Sequence, residues 1–142
     1  MSQYKIGYTQ GVYDMFHIGH LNLLNAAKKY CDYLIVGVNS DELVQNYKGK
    51  VPIINQQERK IIIENIKAVD EAVIVDTLDK EQVLEKIKFD AIFIGDDWKG
   101  HPRWEETRIK MGEKGVNVVF LPHTPNISST FLRDKEDAAI KE

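Results

Sequence analysis

"DYLIVGV", Asp32–Val38, is an almost unbroken apolar run flanked by polar residues. A strand with one wet face would alternate polar and apolar side chains. A continuous short run instead suits a strand buried on both faces, as in parallel sheets. The same pattern recurs in "KIGYT" (Lys5–Thr9), "EAVIV" (Glu71–Val75), "DAIFIG" (Asp90–Gly95) and "VNVVFL" (Val116–Leu121). The intervening segments carry helical spacing. Leu21, Leu24 and Ala27 share one face of a helix predicted from about Ile18 to Tyr30. Further helices are predicted over about Gln56–Ala68, Lys80–Ile87 and Arg103–Glu113. Glycine or asparagine punctuates most ends, as at Asn39, Gly112 and Gly115. No repeat, low-complexity tract or linker interrupts the alternation.

Five short strands with helical crossovers predict an α/β fold: a Rossmann-like open five-stranded parallel sheet with helices on both faces. The length, 142 residues, suits one domain spanning 1–142. Hydrophobic residues make up 43% and charged residues 29%, a globular balance. A net charge of −3 provides no global attraction to nucleic acid or anionic membrane, so neither is an expected partner. The single cysteine, Cys31, cannot form an internal disulfide. "MSQYKIGYT" lacks an apolar signal core, and no apolar run approaches the ~18 residues of a membrane span. The expected location is the cytoplasm.

Open parallel sheets bind ligands beyond the carboxyl ends of their strands. The segments leaving those ends are Gly11–His20, Ser40–Arg59, Asp96–Arg103 and Pro122–Thr130. In "GVYDMFHIGH" (Gly11–His20), His17 and His20 fall on one face of a helix beginning near Ile18. A helix N-terminus favours anions, and imidazoles there suit phosphate oxygens whose charge grows in a transition state. Gly19 leaves room for a nucleotide to approach the backbone. A surface histidine pair, or a metal pair lacking its other ligands, fits the spacing equally; placement after the first strand favours phosphate. Asp96 reads as a turn cap, and Asp14 as a turn residue orienting the histidine loop.

These residues resemble the HxGH motif of the nucleotidyltransferase superfamily related to class I aminoacyl-tRNA synthetases. "NISSTFLR" (Asn126–Arg133) resembles its second motif, ISSTxxR, and "GDDWKG" (Gly95–Gly100) is similar to a segment of bacterial glycerol-3-phosphate cytidylyltransferases. That resemblance implies transfer of CMP from CTP, with Mg²⁺, to a phosphorylated alcohol, preferably glycerol 3-phosphate, in a homodimer serving cell-wall or capsule precursors. It implies His17, His20, Lys50 and Arg59 as catalytic residues. It places Gly11, Val12, Tyr13, Gly19, Lys48, Asp97, Trp98, His123, Thr124, Ile127, Ser128, Ser129 and Arg133 around the nucleotide. Asp14 and Asp70 become supporting residues, Asp70 within "IKAVDE" (Ile66–Glu71), which resembles a segment near the family's dimer interface. Lys48 and Lys50, expected in a loop after the second strand, would neutralise the triphosphate; composition alone reads them as solvated lysines. Arg59 on composition is an exposed helix residue.

Two departures stand out. His123 and Pro125-Asn126 replace the arginine and Glu-Gly of the family's RTEGIST, and Val12 replaces a threonine. "GVYD" is closer to the choline- and ethanolamine-phosphate branches, which are alternative acceptor classes. ISSTxxR also suits an adenylyltransferase of the same superfamily, and a non-catalytic nucleotide-binding regulator would keep the same fold.

Overall fold

The structure, a computed structural model, describes residues 3–122. Five strands, β1 (Tyr4–Gly11), β2 (Cys31–Asn39), β3 (Glu71–Val75), β4 (Ala91–Gly95) and β5 (Asn117–Leu121), form one sheet in the order β3-β2-β1-β4-β5. Every pairing is parallel. The helices are α1 (Ile18–Lys28), α2 (Asp41–Lys48), α3 (Gln56–Glu64), α4 (Lys80–Lys86) and α5 (Pro102–Glu113).

The continuous apolar runs are buried as expected. Leu34, Val36 and Val38 of β2 pack into one cluster with Leu24 and Ala27 of α1 and Ile63 of α3. Tyr8, Ile35 and Ile92, pointing to the other face, pack with Val83 of α4 and Met111 of α5. Gly37 lies where any Cβ would collide with the Tyr8 hydroxyl, so β2 needs a glycine there for that side chain to cross it.

Three boundaries depart from expectation. The segment after β2 contains α2, started by the Ser40 side chain accepting from the Leu43 N–H at 3.1 Å and ended by Gly49 at φ 73°. Lys48 is therefore the last residue of a helix and not a loop residue. α3 stops at Glu64, short of Ala68, because Asn65 turns the chain and its Nδ2 donates to the Ile61 carbonyl. Asp96 opens a 3-10 turn (Asp96–Trp98) whose cap position belongs to Gly95 and carries no side-chain cap bond, so the expected aspartate cap is not formed.

The order 3-2-1-4-5 sets where a ligand fits. The chain moves outward from β1 to β2 and β3, then returns to place β4 on the other side of β1. Loops leaving β1 and β4 at their carboxyl ends diverge there and open a crevice.

Candidate active site

The loop leaving β1 is held in a costly conformation. Tyr13 and Met15 have φ of 56° and 51°, the left-handed region that side-chain-bearing residues seldom occupy. Two anchors hold it. Asp14 is buried, and its carboxylate accepts from the Ile53 and Ile54 N–H groups, both at 2.9 Å. Arg59, with no exposed surface, donates from Nη1 to the Val12 carbonyl at 2.7 Å. Gly11 packs under this loop, where a Cβ would press to 3.0 Å from the Tyr13 ring.

His17 is the N-cap of α1. Its Nδ1 accepts from the Gly19 N–H at 3.1 Å, and the His17 N–H donates to His20 Nδ1 at 3.2 Å. Two histidines thus form the reciprocal cap usually made by serine and glutamate. The two rings stack at 3.8 Å between centroids and 19° between planes. Backbone N–H groups only donate, so each Nδ1 is the bare nitrogen and each neutral ring carries its proton on Nε2. His17 Nε2 is buried with no hydrogen-bond partner among the described residues. Burial lowers the pKa of His17. Burial, then the neighbouring His17, lowers that of His20 to about 4, against an upward pull from Asp14. Both rings are neutral Nε2–H donors at neutral pH.

Arg59 is corrected on one count. It is not the exposed helix residue that composition suggests, and each of its guanidinium nitrogens holds a partner. Besides Val12, its Nε donates to the Ile54 carbonyl at 2.8 Å, Nη1 to the Asn39 carbonyl at 2.8 Å, and Nη2 to Asp41 at 2.6 Å. It joins the segments that leave β1 and β2 to the segment entering its own helix. Asp41, which sequence reasoning missed, also exchanges hydrogen bonds with Gln56 at 2.8 and 3.2 Å. Its position in the first turn of α2 was the available signal.

Asp70 is likewise corrected. It accepts from the Leu34 N–H at 2.8 Å and pairs with Lys28 at 2.6 Å, at the amino end of the sheet. It braces β2 on the edge opposite the histidines.

Lys48 and Lys50 are exposed, Lys48 lying 5.8 Å from the Tyr47 ring centroid. Asp97 and Trp98 follow β4 and are exposed, with the indole 43% accessible and meeting His101 edge-on at 5.3 Å. Trp98 is therefore not core. His123, Thr124, Ile127, Ser128, Ser129 and Arg133 lie outside the described residues. A polar chain across the strand ends was not legible from spacing or residue type. Tyr8 donates to Gln10 at 2.7 Å, Gln10 donates to Asn39 and to the Thr77 carbonyl, and Asn39 donates to Tyr47.

No three His, Cys, Asp or Glu side chains gather as a metal site among the described residues. Asp14, the acid nearest in sequence to the histidines, spends both oxygens on backbone N–H groups. The described residues do not make a resident metal centre. Among them no helix is long and apolar enough to cross a membrane.

A loop presenting neutral imidazole donors above a helix N-terminus, at the carboxyl edge of a 3-2-1-4-5 sheet, defines a phosphate-handling α/β protein. The chain belongs to the cytidylyltransferase-like family, whose model matches residues 8–135, and is a nucleotidyltransferase. It is 35% identical over 126 residues to the glycerol-3-phosphate cytidylyltransferase of Bacillus spizizenii, covering 88% of this chain and 92% of that one. The Bacillus subtilis protein of the same name is 33% identical, covering 89% and 93%. A bifunctional protein HldE from Desulfatibacillum aliphaticivorans is 34% identical over 132 residues, but this chain spans only 26% of it. Among solved structures, a lipopolysaccharide core biosynthesis protein from Thermoplasma volcanium superposes with a TM-score of 0.71 at 30% identity, covering 85% of this chain and 97% of that one. A pantoate-beta-alanine ligase from Francisella tularensis shares the fold at 17% identity, with a TM-score of 0.63 over 96% of this chain and 66% of that one.

Proposed function

We propose that this protein transfers CMP from CTP to a phosphorylated alcohol, with glycerol 3-phosphate the preferred acceptor. An oxygen of the acceptor phosphate attacks the α-phosphorus of CTP, the bond from that phosphorus to the bridging oxygen breaks, and pyrophosphate leaves. No covalent enzyme intermediate is required, so catalysis rests on positioning and on charge stabilisation. The observation that carries the reading is the stacked His17–His20 pair, with its Nε2–H groups uncommitted to the cap and its charge suppressed by burial. These donors would hold oxygens of the reacting phosphate as negative charge builds on them. Lys48 and Lys50 would screen the triphosphate, and Asp97 and Trp98 would line the pocket wall. Arg59 acts in this scheme as a positioning residue, setting the Val12 carbonyl and through it the strained loop. The nucleotide would enter as its magnesium complex, so the metal belongs to the substrate.

Two further observations support the reading. The two Bacillus glycerol-3-phosphate cytidylyltransferases match over 88–89% of this chain and 92–93% of their own, so the likeness extends over nearly their whole length. Val51, Ile53 and Ile61 are 60%, 62% and 56% exposed on α3 and the loop before it, a face suited to a second copy of the chain in a homodimer. A pyrophosphate-release screen tests the proposal, pairing CTP, ATP, UTP and GTP with glycerol, choline, ethanolamine and polyol phosphates. CTP with glycerol 3-phosphate should give the highest kcat/KM. Preference for ATP would move the chain to the adenylyltransferases, and no release with any pair would overturn the proposal.

A further inference from the structure

Beyond β3 and β4 lies a second cleft, on the sheet face opposite α1 and α3. It has a volume of about 380 Å³ and is lined by Leu78, Lys80, Arg103, Thr107 and Met111, with acids at its rim. That size falls at the small end of ligand-binding clefts. Among the described residues, Leu78 and Met111 are its only apolar lining, too little surface to hold a nucleobase.

Its charges do not cancel evenly. Lys110 pairs with Glu106 at 3.0 Å and approaches Glu81 at 3.9 Å, so one cation at that end is held between two acids. Asp79 accepts from the Glu81 N–H at 2.9 Å and from Gln82. Two cations remain at the other end. Lys80 is half-buried, its ammonium donating to the Leu78 carbonyl at 3.0 Å and lying 5.5 Å from the centre of the Trp104 ring. Arg103 forms no hydrogen bond or ion pair through its guanidinium among the described residues. Burial, then the charge of Arg103, lowers the pKa of Lys80 to about 8, with Asp79 opposing. An anion arriving between them would relieve the repulsion that Arg103 exerts on the half-buried Lys80.

The cleft is coupled to the histidine edge. Leu78 and Lys80 follow β3, Arg103 follows β4, and β2 and β1 lie between those strands in the sheet. Gln10, at the end of β1, donates to the Thr77 carbonyl at 2.9 Å, at the root of the segment that carries Lys80. Arg103 is close enough to Tyr47, on the helix after β2, for its charge to act on that hydroxyl. The same β1 continues into the loop bearing His17 and His20.

We propose that Lys80 and Arg103 bind the phosphorylated alcohol, contributing charge to the acceptor's side of the reaction while the histidine side handles the nucleotide. This inference rests on the transfer reaction proposed above. The test uses the full chain with Lys80→Gln and Arg103→Gln, and Lys86→Gln as a charge control on the exposed far end of α4. Loss of one charge-assisted contact should raise the KM for glycerol 3-phosphate roughly ten- to hundredfold, leaving the KM for CTP within about twofold. Unchanged acceptor KM in both variants, or a rise confined to CTP, would overturn the assignment while leaving the reaction standing. If the unmodified protein releases no pyrophosphate with any substrate pair, the reaction proposal fails, and the cleft is judged by calorimetric titration with glycerol 3-phosphate alone. Binding by the unmodified protein that Arg103→Gln weakens at least tenfold supports the site, and absence of binding, or equal binding by the variant, refutes it.

Discussion

Arg59→Met replaces a fully buried guanidinium with a side chain of similar length and no donors. The Val12, Asn39 and Ile54 carbonyls each lose a bond of 2.7–2.8 Å, and Asp41 loses a 2.6 Å ion pair. Removing one member of a buried ion pair costs about 3–5 kcal/mol, chiefly because the remaining group is left uncompensated. Asp41 moderates this, since its side chain is 30% exposed and water replaces part of the lost contact. The three carbonyls add about 1 kcal/mol each unless water reaches them. With water reaching Asp41 and most of the carbonyls, a net loss of about 4 kcal/mol is expected, a large part of the roughly 5–15 kcal/mol that holds a domain together. At about 3–5 °C per kcal/mol for a chain of this size, the melting temperature should fall by roughly 10–20 °C. Circular dichroism melts measure the loss, and pyrophosphate release well below the melt measures activity. Arg59→Lys should recover only part of either, because an ammonium cannot span three carbonyls and a carboxylate in the same fork. A melting temperature within about 3 °C of the unmodified protein, combined with abolished CTP binding, would refute the buried-strut account and return Arg59 to the phosphates.

His17→Asn should keep the helix cap and lose the Nε2 donor, so turnover should drop by roughly two to three orders of magnitude with little change in the melt; near-normal turnover would remove His17 from the chemistry. The folded-state pKa of His20, about 4, lies below its ordinary value of 6.5, so the unfolded chain binds the proton more readily and stability should fall as pH drops from about 6.5 to 4. His20→Gln should flatten that slope in melts recorded across the range, and an unchanged slope would assign the effect to other groups. Trp98→Ala should cost less than about 1 kcal/mol, since the indole is 43% exposed, yet weaken ligand binding; a loss of 3 kcal/mol or more would make it a packing residue. Lys50→Ala should weaken CTP binding and reduce its salt dependence, read from affinities at two ionic strengths; a defect confined to the acceptor would place Lys50 elsewhere.

Strand positions were legible because burial on both faces leaves one unbroken apolar signature, and β3 at Glu71–Val75 coincides with its predicted span. Helix α2 was missed: Ser40 and Gly49 were its start and stop signals, but its Asp-Glu-rich first turn reads as loop when only apolar spacing is followed. The histidine segment announced phosphate chemistry through residue type and its place after the first strand.

Local sequence thus determined the sheet, its parallel character and the segments that carry the site, since each depends on patterns within some ten residues. It could not determine what a polar side chain meets across the fold. Arg59 reads as surface on its own helix, yet parallel strands bring the ends of β1 and β2 beside it, and their outward carbonyls demand a buried donor. Asp70 reads as a neighbour of the site, yet a strand has two ends and its hydrogen bonds lie at the far one. Lys80 and Arg103, 23 residues apart in the chain, become one cationic pair only because β3 and β4 run in the same direction on opposite sides of β2 and β1. Spacing along the chain records which faces are buried. Which polar groups meet is set by strand order, and that emerges only when the sheet has closed over its core.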